Sequence, residues 1–274
     1  MLDGVMLLWF SLTALSVAFV AIDIRNTPEH PVMKLAFVLF TVYSGPIGAF
    51  LYVLGCREPL PGLHAQYTAA RWRQALGSTM HCVAGDGIGI LAGAVIGALI
   101  ALPMAAAMTL EYVLGFAFGW TIFQALFMRD SYGGSYAKSL AGTFLPELLS
   151  MNCLMGGMLP VASIAFAHLS AAHDPLQPLF WFRLSLALMV GAAVAFPINW
   201  WLVAHHLKHG MMTVRPAGSA DAAGEMEMEM GMQKGAPVAA DAAAPNPSVA
   251  VMTALSFLVL AIGAAIAFTF GIGH

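Results

Sequence analysis

Residues 80–103 read MHCVAGDGIGILAGAVIGALIALP. As a helix this stretch is about 36 Å long, enough to cross a hydrocarbon core of roughly 30 Å, and only His81, Cys82 and Asp86 in it resist burial in lipid. The same ruler fits six further apolar stretches, at approximately 5–22, 33–55, 105–128, 144–168, 179–204 and 249–272. Composition agrees: 60% of the 274 residues are hydrophobic and 9% charged, with a mean hydropathy of +0.81, far from the balance of a soluble domain. The runs are continuous rather than alternating, which argues against a transmembrane β-barrel. The expected fold class is all-α, a polytopic helical membrane protein of about seven transmembrane helices whose partner is the lipid bilayer. The first stretch carries Asp3 in place of a basic flank and no small-residue cleavage site before Asp23, so it reads as a retained helix rather than a signal peptide.

Residues 1–209 form a six-helix transmembrane body in this reading, residues 210–248 a disordered linker, and residues 249–274 a C-terminal helix. The linker, GMMTVRPAGSADAAGEMEMEMGMQKGAPVAADAAAPNPS, is dense in Ala, Gly, Pro and Met and has no apolar period. Net charge is −3 and the eleven Lys and Arg are scattered, so nucleic acid is excluded as a partner class. Cys56, Cys82 and Cys153 are odd in number and make no disulfide framework. Arg57, Arg71, Arg73, Arg129, Lys138, Lys208, Arg215 and Lys234 fall in the second, fourth and sixth loops; Arg25 and Lys34 lie opposite, with Arg183 just inside the sixth span. Cationic loops face the cytoplasm, so the N-terminus is expected inside and His274 outside.

Gly77, His81, Gly85, Gly89, Gly93 and Gly97 recur every four residues and form one stripe along the third span, which is expected to be central. Gly115 and Gly119 give the fourth span a matching face. Bends are expected at Gly45-Pro46, at Gly156-Gly157 with Pro160, and at Pro197.

Ionisable groups inside a membrane helix cost roughly 2.5–3.5 kcal/mol each at its centre, so Asp86, Glu111 and Glu147 need partners. Counted from the ends of their spans, Asp86 lies about 9 Å deep, Glu147 about 5 Å and Asn199 about 8 Å, all from one side. Cys82 and Asp86 share a helical face, as do Glu147 and Met151. One polar cluster is therefore expected, with His81, Cys82, Asp86, Glu147 and Met151 as metal ligands; the sulfurs favour a soft ion such as copper in its Cu(I) form. Two carboxylates at that depth require a cation or a shared proton, and no Lys or Arg within the spans lies level with them. Met155, Met158 and Glu111, with Asn199, would extend the cluster into a pathway, although a methionine stripe is also ordinary core filler. Weaker metal candidates are His205 with His209, and the alternating Met226, Met228, Met230 and Met232 of the linker.

HCVAGDGIGI (81–90), GPIGAFLYVLG (45–55) and FPINWWLV (196–203) resemble the bacterial integral membrane family labelled domain of unknown function 4396, over most of residues 5–210. The resemblance implies a multi-pass protein of the bacterial inner membrane; the family has no established activity and supplies no catalytic residues. The leading expectation is a membrane carrier or pathway protein for a cation. A metal-dependent membrane enzyme is the alternative, with His81 and His205 as a haem pair in its redox version, but no Ser-His-Asp, CxxC or HExxH pattern is present and an enzyme ranks second. A structural or accessory subunit, assembling as a homo-oligomer or with a membrane partner subunit, is the third reading.

Overall fold

A computed structural model describes residues 1–214 and 245–271. Arg215, Met226, Met228, Met230, Met232, Lys234 and His274 lie outside the described residues. The helices are α1 (Leu2–Asp23), α2 (Pro31–Ser44), α3 (Pro46–Gly55), α4 (His64–Thr68), α5 (Arg71–Leu99), α6 (Met104–Phe118, continued by a π-helical turn over Gly119–Leu126), α7 (Tyr136–Ile164), α8 (Pro178–Ala204) and α9 (Val249–Phe270). The protein is an all-α polytopic membrane protein. Six of these segments, including α9, are long and apolar enough to cross a bilayer.

The second expected span is built differently. Gly45 adopts φ +57°, a left-handed conformation that glycine enters without steric cost, and Pro46 follows as the first residue of α3. The chain reverses there. At the far end of α3 the Tyr52 hydroxyl donates to Asp23 Oδ2 at 2.7 Å and lies 2.9 Å from Thr27 Oγ1, beside the place where the chain entered α2. Gly45 itself rests against Trp9 and Thr13, roughly 15–21 Å along α1 from Asp23. α2 and α3 are thus a re-entrant hairpin that enters and leaves at the same end of the bundle.

This reversal corrects the expected topology. Loops 24–30, 56–70, 127–135 and 205–214 all gather at one end: Arg57 pairs with Asp23 at 2.8 Å, and Glu29 forms an antiparallel bridge with Thr213. Arg25, Lys34, Arg57, Arg71, Arg73, Arg129, Lys138 and Lys208 share this basic end, so Arg25 and Lys34 are not on the opposite side. The N-terminus is at the other end. Met6 packs with Ala172 and Leu179, and Trp9 meets Phe182 edge-on at 5.8 Å between ring centroids.

The glycine stripe does place α5 against α6. A Cβ on Gly89 would overlap the Leu114 carbonyl, and one on Gly93 would come within 2.8 Å of Glu111 Cα. Close backbone approach of this kind replaces the hydrophobic drive that lipid removes. Gly89→Ala is expected to cost about 1–3 kcal/mol through overpacking, seen as a lower thermal midpoint in detergent; an unchanged midpoint would contradict the packing.

Of the three expected bends, only Gly45-Pro46 ends a helix. α7 and α8 run on through Pro160 and Pro197. Gly156 instead admits α9 at Gly263, and Gly157 admits α8 at Gly191 and Val194. α9 therefore docks on α7 through a small-residue crossing and a buried hydrogen bond from Asn152 Nδ2 to Ser256 Oγ at 3.2 Å, while Phe257, Leu258, Ile262 and Phe270 face outward.

Candidate cation site

Helix periodicity assembles a polar site from three spans. On α5, Ser78, Cys82 and Asp86 are one turn apart on a single face; on α7, Glu147 and Ser150 are three apart; α8 contributes Asn199. All six side chains are buried. Cys82 Sγ lies 3.3 Å from Asp86 Oδ2, 3.3 Å from Glu147 Oε2 and 3.1 Å from Ser150 Oγ. One thiol proton can serve only one of these acceptors at a time. Asn199 Nδ2 donates to Ser150 Oγ at 2.7 Å and to the Ala195 carbonyl at 2.9 Å, and Ser78 Oγ donates to Asn199 Oδ1 at 3.4 Å.

The cation that the spans lack comes from beyond them. After α8 the chain folds back, and Lys208 Nζ donates to Glu147 Oε2 at 3.1 Å, with both side chains at most 2% exposed. Burial alone would lower the lysine's pKa, but Cys82, Glu147 and Asp86 around it hold it above the ordinary lysine range. The expectation concerned Lys and Arg inside the spans, and Lys208 lies beyond the end of α8. Depth counting covered only residues inside spans, and Lys208 enters from a loop.

The other carboxylate oxygens, Asp86 Oδ1 and Glu147 Oε1, have no hydrogen-bond partner among the described residues. Both border Gly119, where a Cβ would overlap Asp86 Oδ1 and stand 2.9 Å from Glu147 Oε1. Gly119 opens the π-helical turn, so a locally widened helix without a side chain faces two acceptors that point toward the same space. Two lone-pair atoms so placed are matched by a cation or by a proton on one of them.

Cys82, Asp86 and Glu147 each offer a ligand atom within 4.8 Å of the other two. His81 is not among them. Its Nδ1 faces Gln124 Nε2 at 3.3 Å, and its ring meets that of His209 at 5.1 Å between centroids. His81 belongs to the contact stripe of α5, about 100° around the helix from Cys82. Met151 is buried on α7 and turned toward Gly115 of α6. Met155 and Met158 are fully buried, with Met158 under Gly191. Glu111 sits where α6 crosses Gly93, about 10 Å further along α5 than Asp86, in the field of Arg183.

The histidines after α8 do not form the expected pair. His205 Nδ1 lies 2.9 Å from the Trp201 carbonyl and its Nε2 accepts from Asn246 N at 3.4 Å, whereas His209 turns inward to His81. His205 therefore makes neither a chelate with His209 nor a haem pair with His81. Burial, then Lys208 and His30, lower the His209 pKa from 6.5 to about 4. The folded state prefers neutral His209 while the unfolded chain protonates near 6.5, so its contribution to stability is present above pH 6.5 and is lost as pH falls toward 4. The thermal midpoint should drop across that window, and His209→Gln should flatten the drop; a profile unchanged by the substitution would contradict the assignment. The groups facing His209 are His81, Lys208 and His30.

Ser78 and Ser150 were legible as one-turn neighbours of Cys82 and Glu147; Lys208 and Gln124 carried no sequence signal of this kind.

The family model described as Domain of unknown function (DUF4396) matches residues 71–208, half of the chain, and the protein belongs to this family. The match opens with α5 and closes on Lys208, so it contains every member of the cluster. It is narrower than residues 5–210, and the re-entrant hairpin with its GPIGAFLYVLG motif lies outside it. No curated protein and no solved structure matches the chain.

Proposed function

We propose that this family member is a membrane carrier or pathway protein for a cation, with Cys82, Asp86 and Glu147 as the cation site and Lys208 as a tethered cation that exchanges with the transported one. The observation that carries this reading is the pairing of Lys208 with Glu147 beside a second carboxylate whose Oδ1 has no described donor. A lysine on a flexible stem can neutralise the carboxylates between transport events and withdraw when an ion arrives, which avoids leaving two charges unpaired in low dielectric. Its segment lies at the basic end, which the distribution of Lys and Arg makes cytoplasmic; the N-terminus is then on the far side of the bacterial inner membrane.

The converging donors are one sulfur and two carboxylate oxygens. That set suits a borderline divalent transition ion better than Cu(I), which would need softer ligands such as Met151 turned into the site. The transmembrane body is residues 1–209 in this reading, and residues 205–214, which run past its end, serve the site. The test is flux of Co²⁺ or Zn²⁺ into proteoliposomes holding an ion-sensitive dye. Wild-type protein should carry ions and Asp86→Asn should not; equal flux through both would sink the proposal.

A further inference from the structure

At the basic end, outside the family-matched region, three connections converge on a second group of ligand-type side chains. Glu29 precedes α2, Cys56 follows α3 and His64 opens α4, and all three are at most 2% exposed. Their donor atoms all lie within 4.8 Å of one another. His64 Nε2 is 3.8 Å from Glu29 Oε2 and 3.9 Å from Cys56 Sγ, while its Nδ1 is 2.8 Å from Thr213 Oγ1.

These distances have a chemical reading. With Nδ1–H donating to Thr213, Nε2 presents its lone pair to the carboxylate and the sulfur. A separation of 3.8 Å is too long for a hydrogen bond between Nε2 and Oε2. Ligand atoms around a tetrahedral zinc ion stand on the order of 3.3–3.6 Å apart, so the two separations from His64 Nε2 need contract by only a few tenths of an ångström to enclose one. Backbone amides hold the Glu29 carboxylate in the orientation a ligand needs. Its Oε1 accepts from His30 N at 3.0 Å and Met212 N at 2.6 Å, and Oε2 is the oxygen turned to His64.

We infer that Glu29, Cys56 and His64 form a structural site for a divalent ion of the zinc class. The ion replaces the thiol proton of Cys56, which leaves to solvent, and binds the thiolate, the glutamate and the neutral imidazole, with a water in the fourth position. The same residues hold the 205–214 segment, since Thr213 supports His64, Met212 N donates to Glu29, and Val214 N donates to the Pro28 carbonyl at 2.9 Å. The site would thus clamp the segment that delivers Lys208 to the intramembrane cluster.

The experiment uses full-length Asp86→Asn protein purified in detergent, in which the intramembrane cluster no longer holds its ion, exposed to Zn²⁺ alone, desalted and analysed for zinc, with Co²⁺ loading as a spectroscopic partner. Bound zinc and a thiolate-to-cobalt charge-transfer band are expected, both lost in Cys56→Ser and retained in Cys82→Ser. His64→Gln should weaken binding by at least about 100-fold. If Cys56→Ser fails to fold, protection of wild-type Cys56 from alkylation by Zn²⁺ provides the same reading. Absence of zinc, a band that survives Cys56→Ser, absence of protection, or a band removed only by Cys82→Ser would overturn the inference; the last outcome would leave the intramembrane site standing alone.

Discussion

Lys208→Ala is expected to cost the metal-free protein about 3–5 kcal/mol of stability, because it strands Glu147 in the interior without its cation. The loss should appear as a much lower thermal midpoint in detergent. Lys208→Met combined with Glu147→Gln should recover most of it, since removing both charges leaves nothing unpaired. The same substitution has an opposite effect on ligand binding. Without the competing ammonium, a divalent ion should bind about tenfold more tightly or better, and added metal should then raise the midpoint of Lys208→Ala more than that of the wild type. A destabilised variant that metal does not rescue would show that Lys208 is only a structural counter-ion.

Asp86→Asn has the second large effect. The amide keeps the shape of the carboxylate but removes its charge, so the helices should pack as before while ion binding weakens by at least about 100-fold. Glu147→Gln should do the same at greater cost to stability, because it also leaves Lys208 buried without its partner. Divalent-ion titration of the two variants separates these effects. Asp86→Asn with wild-type affinity would remove Asp86 from the site.

Much of this arrangement was legible in the chain. The four-residue spacing from Gly77 to Gly97 fixes which face of α5 meets α6, because only glycine tolerates the approach at Gly89. Depth counting brought Asp86, Glu147 and Asn199 to one level, and the hydrogen bonds through Cys82 and Ser150 now join them. What escaped was long-range. Residues 33–55 satisfy a hydropathy ruler whether they cross or turn back, and only the left-handed Gly45 before Pro46, combined with Tyr52 reaching Asp23, decides for a hairpin. That one reversal moves the N-terminus to the opposite end. Lys208 escaped for a related reason, since a polar residue after a span reads as a solvated loop until the bridge between Glu29 and Thr213 folds its segment inward.

His81 illustrates the opposite error. Its position beside Cys82 made it an attractive ligand, yet adjacent helical residues point about 100° apart, and His81 went with the glycine stripe toward Gln124 and His209.

The most direct test is Co²⁺ binding by equilibrium dialysis to purified full-length protein in a Cys56→Ser background, which leaves the intramembrane cluster as the thiol-containing site. The expected result is a bound ion that is lost in Asp86→Asn and held more tightly in Lys208→Ala. No bound ion, or an ion indifferent to both substitutions, would contradict a cation site at Cys82, Asp86 and Glu147.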